Sequence, residues 1–483
     1  MRNLVLLGVS AAILPGAVLA QQVEGEAVLV PDTAGVLASE PLQPVSPPSP
    51  TATLPASPAA APSPAPASGP APAGVYRPVV QPIPGLMDEN GEMYGHIQPW
   101  TATDARALYL VLDGIASEGL DPADYDLATL ERAIAAGEGP ELDRIASETF
   151  TWLVEDLRDG RTPMDARKQW FVTDPDADVL PTAQVMAEAL ESHDIAGVVE
   201  RLAPTNPDYA ALKQALAETP PEDTARIAMI RANMDRWRWL ARDLGKQYLI
   251  TNVPEYQLRL TVNDTIIRTY RTIVGKPGRT ATPQLAETVE GIVFNPTWTV
   301  PQSIVKGEGL GARVLNNPAW AKARGYTATR GANGYVSVVQ QPGKTNSLGI
   351  VKLDMPNPHA IFFHDTPAKH LFDTEVRAYS HGCIRTENAL QLAITLAILG
   401  GVDKDEAVAI SASREYTKVP IDKTFPVYIT YFTMGRDING ELTTFDDIYD
   451  RDAPVLASLD APRMANRARR TSEEVVAIEA PGA

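Results

Sequence analysis

The chain has 483 residues, of which 44% are hydrophobic, and it carries a formal net charge of −18 at pH 7. This length is enough for two or three domains with sizeable hydrophobic cores. The negative charge argues against nucleic acid as a partner, because phosphate backbones bind basic surfaces. The chain contains a single cysteine, so no disulfide can form within it.

The first residues, MRNLVLLGVSAAILPGAVLAQQ, have the pattern of a secretory signal peptide. Arg2 supplies a short basic region, residues 4–14 form an apolar run, and Val18-Leu19-Ala20 matches a cleavage site. We expect residues 1–20 to be removed and the mature protein to lie in the periplasm; an uncleaved N-terminal anchor is the alternative. The run is too short to cross a bilayer, and no other stretch is apolar for 18 residues, so we expect no transmembrane span.

Residues 21–75 are predicted to form a disordered linker. The core of this segment, PLQPVSPPSPTATLPASPAAAPSPAPASGPAPAG, has almost no large apolar side chain and cannot bury a core. Its prolines favour extended polyproline II, which makes it a semi-rigid spacer.

Residues 76–245 are predicted to form a helical domain. The stretch TATDARALYLVLDGIASEGLDP has Thr103 as a candidate N-cap, and its apolar residues recur at helical spacing. The stripe predicted for this helix comprises Ala107, Leu110, Val111 and Ile115. Two later stretches, ELDRIASETFTWLVEDLRDGRTP and TARIAMIRANMDRWRWLARDLG, repeat the pattern. We interpret these stripes as core residues without a chemical role. We expect the helical domain to pack against the next domain as one rigid body, with Trp237, Trp239 and Leu240 at the junction.

From residue 246 the period changes to the two-residue alternation of β-strands. The stretch QYLITNVPEYQLRLTVNDTIIRTYRTIVG is rich in Val, Ile, Tyr and Thr, and Asn263-Asp264 predicts a hairpin turn. We expect a β-rich domain over residues 246–455 and a disordered tail over residues 456–483. The sequence contains no P-loop and no convincing dinucleotide-binding loop, so it predicts no cofactor.

Cysteine and histidine are concentrated in one short segment of this domain. Cys383 lies in IFFHDTPAKHLFDTEVRAYSHGCIRTENALQLA, and four of the six histidines lie within 24 residues of it: His359, His364, His370 and His381. In an oxidising compartment a single exposed thiol is open to oxidation, so we expect Cys383 either to be buried or to have a chemical function. This segment is therefore the candidate active site.

The local pattern predicts a strand over residues 360–363 that ends at His364, then a turn in which Gly382 supplies backbone freedom. Thr386 is the predicted N-cap of the following helix, which places Cys383 just upstream of a helix N-terminus. The predicted apolar face of this helix comprises Ala389, Leu392, Ala393, Leu396 and Ala397. Such a position, together with Arg385, favours the thiolate. His364 at a strand end is a candidate general base, and backbone N–H groups near Gly382 are candidate oxyanion donors. This assembly suits acyl transfer through a thioester.

Three alternatives to this acyl-transfer site are considered. A zinc site built from His359, His364, His381 and Cys383 matches no common ligand spacing, so we predict no metal. Cys383 could instead be an inert buried thiol. A papain-like peptidase usually places its cysteine before its histidine, and the order here is the reverse.

The segment HDTP…RAYSHGCIR resembles the signature of the L,D-transpeptidase (YkuD) catalytic domain. The stretches VGKPGRTATP, NPTWTVP and PGKTNSLGIVKLDMPN resemble the large periplasmic YcbB-type subfamily, as do MDRWRWL and LVEDLRDGRTP. The resemblance implies a multidomain protein with an α-helical scaffold domain followed by a β-sandwich-like α+β catalytic domain. One departure is clear: no room remains for the peptidoglycan-binding domain that this subfamily often inserts before the RWRW helix.

The resemblance also implies an activity, in which a cysteine thioester joins peptidoglycan tetrapeptide stems by 3–3 cross-links between diaminopimelate residues. It assigns Cys383 as the nucleophile, His364 as the base and the Asp365 carbonyl as the group that orients the imidazole. It assigns the Gly382 and Cys383 N–H groups to the oxyanion hole. It places Arg385, His381 and Ser380 in the substrate pocket. His359 and His370 match no position of the signature and are interpreted as incidental.

The resemblance further implies a small lid, which here covers about residues 302–341 and is short for the subfamily. We also expect carbapenems to acylate Cys383, because their carbonyl can enter the same oxyanion hole, and we expect a monomer. Four alternatives share the fold: carboxypeptidase trimming, amino-acid exchange, attachment of a protein to the wall, and a non-catalytic peptidoglycan-binding protein. The intact pair His364 and Cys383 argues against the last of these.

Overall fold

A computed structural model describes residues 97–172, 179–263, 265–332 and 334–464. The predicted signal peptide, the predicted linker, residues 76–96 of the predicted scaffold and residues 465–483 of the predicted tail lie outside the described residues. The described chain has a helical N-terminal part and a strand-rich C-terminal part, as predicted.

The N-terminal part consists of helices joined by short turns. Its helices are α1 (Ala102–Asp113), α2 (Leu127–Ala136), α3 (Pro140–Asp159), α4 (Thr182–Ser192), α5 (Ile195–Glu200), α6 (Pro207–Glu218) and α7 (Thr224–Trp237). Single 3₁₀ turns occupy Ile115–Glu118, Pro122–Tyr125 and Met164–Ala166. Apolar side chains of α1 to α5 form one core, whereas α6 and α7 contribute to a second core shared with the strands.

The prediction for α1 is wrong in two details. The N-cap is Thr101 rather than Thr103, because the Thr101 side chain accepts a hydrogen bond from the Asp104 N–H. The buried face carries Leu108 and Leu112, while the predicted core residue Leu110 is 59% exposed. The helix has apolar residues on more than one face, so spacing alone could not select the face that packs.

The C-terminal part is built on one mixed sheet of nine strands. These are β1 (Gln247–Asn252), β2 (Gln257–Val262), β3 (Thr265–Gly275), β4 (Leu285–Phe294), β8 (Val351–Asp354), β9 (Phe363–His364), β10 (Ala378–Ser380), β11 (Ile384–Thr386) and β12 (Thr417–Thr430). Their order is β10-β3-β11-β9-β8-β4-β12-β1-β2, and β2 also pairs with β3. The predicted hairpin is the β2–β3 pair, and this additional pairing joins the end strand β2 to β3, the second strand from the other end of the order.

Helix α11 (Ala389–Leu399) covers this sheet, and α12 (Lys404–Ser413) packs beside it. All five residues predicted for the apolar face of α11 are buried: Ala389, Leu392, Ala393, Leu396 and Ala397. They join strand residues in the largest hydrophobic core, against which Cys383 packs. The core of the strand-rich part therefore reaches the candidate active site.

A small subdomain is inserted between β4 and β8, where the sequence predicts the lid. It contains β5 (Trp298–Thr299), α8 (Gln302–Gly307), α9 (Leu310–Asn316), α10 (Pro318–Ala323), β6 (Tyr326–Arg330) and β7 (Val336–Gln340). Its three strands form a separate sheet, and Val300, Val305 and Val338 belong to a core of its own. We call residues 298–340 the inserted subdomain.

The helical and strand-rich parts share an aromatic junction, as predicted. Trp237 stacks on Phe432 with ring centroids 4.6 Å apart, and Trp239 meets Trp170 edge-on at 5.1 Å. A buried ion pair between Arg236 and Asp452, at 2.7 Å, crosses the same boundary. These contacts belong to one core with residues from both parts.

The prediction of a disordered tail from residue 456 is wrong over residues 456–464. After the hairpin of β13 (Met434–Arg436) and β14 (Leu442–Thr444), the chain forms α13 (Asp452–Asp460). Arg463 then returns to α3, where its buried guanidinium pairs with Glu155 and Asp156. Two buried carboxylates need a cation, and this distant arginine supplies it.

No helix within the described residues is both long enough and apolar enough to cross a membrane.

The junction predicts coupled unfolding. Trp237→Ala removes a stacked, buried indole and should lower the free energy of unfolding by about 3 to 5 kcal/mol. Because the junction belongs to both parts, differential scanning calorimetry should show one transition shifted as a whole. Trp320→Ala is the matched control, since Trp320 stacks on Tyr326 inside the inserted subdomain. Two separate transitions in Trp237→Ala, with the strand-rich part unshifted, would contradict the coupling.

Candidate active site

The candidate site lies where three short strands meet. In the parallel pair β9–β11, Ile384 is opposite Phe363 and Arg385 is opposite His364. The Ile384 N–H donates to the Phe362 carbonyl at 3.0 Å, which places Cys383 across from Phe362. Residues two apart on a strand point to the same face, so Cys383 and His364 share one face of the sheet. Diagonal neighbours of this kind lie about 7 to 8 Å apart, a gap that a substrate carbonyl can occupy.

His364 is buried and held in one orientation. Its Nδ1 lies 2.5 Å from the Asp365 carbonyl oxygen, the contact that the resemblance implies. A carbonyl can only accept a hydrogen bond, so Nδ1 carries the proton and Nε2 keeps its lone pair. Burial, followed by the nearby Arg385, lowers the pKa of His364 to about 3. The imidazole is therefore neutral at physiological pH, with one nitrogen able to accept a proton.

The Asp365 side chain fixes the backbone that carries this carbonyl. Its Oδ2 accepts the Ile350 N–H at 3.0 Å, and Oδ1 pairs with Lys369. Gly349 lies against the same carboxylate with φ +64°, and a Cβ there would come within 2.2 Å of Asp365 Oδ2. Only glycine fits at this position.

Cys383 lies among apolar side chains and keeps part of its surface exposed. Burial raises the pKa of its thiol to about 11, although the Phe362 N–H, Lys352, Arg385 and its own N–H lower it. Arg385 therefore favours the thiolate as expected, but burial outweighs it, and the thiol of the resting protein is protonated. Cys383 precedes strand β11, and helix α11 begins only at Ala389, so the helix dipole does not act at the sulfur.

Two further local predictions, the N-cap at Thr386 and the strand over residues 360–363, are wrong. Thr386 is not an N-cap, because it pairs with Thr272 of β3 as the last residue of β11. The strand predicted over residues 360–363 is instead Phe363–His364, and Ala360 has a left-handed φ of +52°. In both cases strand pairing with distant segments decides the local conformation.

Ser380 and Gly382 shape the loop that carries the thiol. The Ser380 hydroxyl accepts the Gly382 N–H at 3.1 Å and donates to the Cys383 carbonyl. Ser380 is only 2% exposed, so it holds the loop and does not line a substrate pocket as expected. At φ +116°, the Gly382 N–H donates to Ser380 within the loop, and its expected role as an oxyanion donor stays a prediction. The N–H groups that act on the sulfur belong to Phe362 and Cys383.

The other three histidines of the segment lie in different surroundings. His381 Nε2 lies 2.5 Å from Glu308 Oε1. This contact joins the loop that carries Cys383 to the inserted subdomain. His359 is buried with its ring 4.3 Å from Phe171, and His370 is exposed in the 3₁₀ turn Lys369–Asp373. Within the described residues, no group of three or more His, Cys, Asp or Glu side chains could hold a metal ion.

Sequence reasoning missed Lys352. It lies on β8, directly opposite His364 on the other side from Arg385. Its ammonium lies 4.0 Å from the centre of the Phe362 ring, beside Cys383. The alternation Val351, Lys352, Leu353, Asp354 is a signal that places Lys352 on the face opposite the core, but only strand register places it next to His364.

Two family models match separate parts of the chain. Residues 246–429 match the family model of the L,D-transpeptidase catalytic domain (YkuD), and residues 96–216 match that of the scaffold domain. This chain carries an L,D-transpeptidase catalytic domain. The matched region contains Lys352, His364, Cys383 and Arg385.

A Haemophilus influenzae protein named "Putative L,D-transpeptidase" is 27% identical over 282 residues, which is 55% of this chain. The chain spans 57% of the length of that curated relative. Among solved structures, an L,D-transpeptidase from Mycobacterium smegmatis is 13% identical with a TM-score of 0.20, over 38% of this chain and 58% of that chain. An Enterococcus faecium L,D-transpeptidase is 12% identical with a TM-score of 0.20, over 38% and 50%. At TM-scores this low, neither solved structure supports an inference about the site.

The contact between Gly349 and Asp365 predicts a sensitive position remote from the thiol. Gly349→Ala should displace the Asp365 carboxylate and loosen the carbonyl that orients His364, so the rate of Cys383 acylation should fall about 10-fold or more. Gly278→Ala is the matched control, because it adds the same methyl group at φ +85° with nothing within 4 Å. Single-turnover acylation followed by intact mass gives both rates. Equal rates in the two variants would contradict this role for Asp365.

Proposed function

We propose that this protein is a peptidoglycan L,D-transpeptidase that forms 3–3 cross-links through a thioester on Cys383. One observation carries the proposal: a neutral imidazole with Nε2 free shares a sheet face with the only cysteine of the chain. The family match over residues 246–429 supports the same reaction class. The donor and the acceptor are then tetrapeptide stems.

The first half-reaction transfers the acyl group to the enzyme. As the sulfur attacks the carbonyl carbon between diaminopimelate and D-Ala, the thiol proton passes to His364 Nε2. The carbonyl oxygen gains charge and accepts hydrogen bonds from the Phe362 and Cys383 N–H groups. When the C–N bond breaks, His364 returns the proton to the leaving amine, and D-Ala departs.

The second half-reaction regenerates the thiol. The side-chain amine of an acceptor diaminopimelate attacks the thioester carbon, its proton passes to His364, and the C–S bond breaks. The sulfur takes the proton back, and the new amide is the cross-link. A neutral imidazole suits both steps, because it receives a proton at each attack and returns it at each bond cleavage.

The acceptor determines which related activity results. Water as the acceptor would make the enzyme a carboxypeptidase, a free amino acid would give exchange, and a protein amine would make it an attachment enzyme. A non-catalytic peptidoglycan-binding protein would need neither the buried imidazole nor the thiol. The contact between His381 and Glu308 supports a role for the inserted subdomain as a lid over the site.

The proposed function also includes a location in the periplasm and inhibition by carbapenems. The N-terminal signal pattern supports export to the periplasm, where peptidoglycan lies. A carbapenem presents a strained lactam carbonyl, which the Cys383 thiol attacks in the same way as a stem peptide. Acylation by a carbapenem should therefore add the full mass of the drug to the protein.

Purified protein and disaccharide-tetrapeptide test the proposal directly. Intact-mass measurement should show an adduct equal to the donor minus D-Ala, and muropeptide analysis should show 3–3 dimers. Cys383→Ala should give neither product while keeping the melting temperature of the wild type. Dimers formed by Cys383→Ala, or a wild-type protein that forms no adduct, would contradict the proposal.

Histidine variants supply the control for the base. His364→Ala should lower the acylation rate about 10²- to 10⁴-fold, because no other side chain in the site accepts the proton. His370→Ala removes an exposed imidazole from the same segment and should leave the rate nearly unchanged. Similar losses in the two variants would mean that His364 is not the base.

A further inference from the structure

Three basic side chains form a row across the strands at the active site. Lys352 on β8, His364 on β9 and Arg385 on β11 are register partners, so all three project from the same face. Neighbouring strands lie about 4.8 Å apart, which puts one cation on each side of the imidazole. Cys383 lies next to this row, two residues before Arg385.

Both cations lack an anionic partner within the described residues. No ion pair is formed by Lys352 or by Arg385 there, and the nearby carboxylate of Asp354 is bound to Lys418 at 2.6 Å. Both side chains are only half-exposed, and burial lowers the pKa of each. The Phe362 ring lies 4.0 Å from the Lys352 ammonium and gives it a weak cation–π partner.

Partly buried cations without a counter-ion are costly for a fold and indicate a ligand that supplies the negative charge. The two cations flank the groups that would perform the chemistry. An anionic group of the substrate, close to the reacting bond, is the ligand that fits this arrangement.

We propose that Lys352, together with Arg385, binds the free carboxylate of the D-amino acid that leaves during acylation. This inference rests on the proposed transpeptidase function and assigns its donor specificity. Lys352 is thereby a specificity-determining residue that contacts the substrate.

The chemistry of the leaving group selects this carboxylate over others in the stem. His364 returns its proton to the leaving nitrogen, so that nitrogen lies beside the imidazole. The carboxylate of the same residue is separated from the nitrogen by one carbon atom. It therefore lies next to the side chains that flank His364, on the adjacent strands.

This arrangement selects donors by the state of one carboxyl group. A stem that ends at this residue presents a carboxylate to the two cations. A stem that is extended by a further residue, or whose terminal carboxyl is amidated, presents a neutral amide at the same place. Such a donor leaves the two cations unpaired when it binds.

The test compares two donors that differ in one group. One is a tetrapeptide with a free terminal carboxylate, and the other is the same peptide with a terminal carboxamide. The second-order rate of Cys383 acylation is measured for each by intact mass. The full-length wild type should favour the carboxylate by about 10- to 100-fold, the range expected for a charge-assisted hydrogen bond.

Substitutions of Lys352 should change this preference selectively. Lys352→Met should lower the carboxylate rate much more than the carboxamide rate, which reduces the preference to about threefold or less. A merely structural role would lower both rates by the same factor. Lys352→Arg should keep most of the preference. Lys423→Met, which removes an exposed lysine from β12 of the same sheet, should leave the preference unchanged.

The outcomes separate the two proposals. A wild type that forms no thioester with either donor contradicts the transpeptidase function itself. A wild type that reacts equally with both donors overturns only the carboxylate site, and this result needs no variant to fold. A wild-type preference that survives in Lys352→Met, or in Lys352→Gln if the methionine variant does not fold, also overturns it.

Discussion

The parallel pairing of β9 with β11 is the constraint on which the site depends. Neither strand is longer than three residues, yet their register places His364 opposite Arg385 and Cys383 on the same face. A slip of one residue would turn the thiol or the imidazole into the hydrophobic core. The register is fixed from both sides, because β11 also pairs with β3 and β9 also pairs with β8.

Burial determines how the two reacting groups begin the reaction. The same apolar core that packs against Cys383 disfavours its thiolate, and burial next to two cations disfavours an imidazolium at His364. The resting pair is therefore neutral, and charge develops only when the substrate carbonyl is present. In the absence of substrate, the positive charges of Arg385 and Lys352 add to this effect at His364.

The sequence predicted those structural elements that depend on the local pattern of apolar and polar residues. It predicted the helical and strand-rich parts, the β2–β3 hairpin, the buried face of α11 and the aromatic junction at Trp237. It failed where distant pairing overrides local preference. Threonine is a common N-cap residue, but Thr386 belongs to β11 because it pairs with Thr272 of β3. Lys352 could not be placed, since a single sequence does not specify register between strands.

The central claim is that Cys383 and His364 rest as a neutral pair. It is tested most directly by the pH dependence of Cys383 alkylation with iodoacetamide, a neutral reagent that reacts with thiolate. Cys383 is the only cysteine in the chain, so the mass increase reports on one group. With a thiol pKa near 11, the rate should continue to rise with pH beyond pH 9. A rate that reaches its plateau below pH 7 would indicate a resting thiolate–imidazolium pair and would contradict the claim.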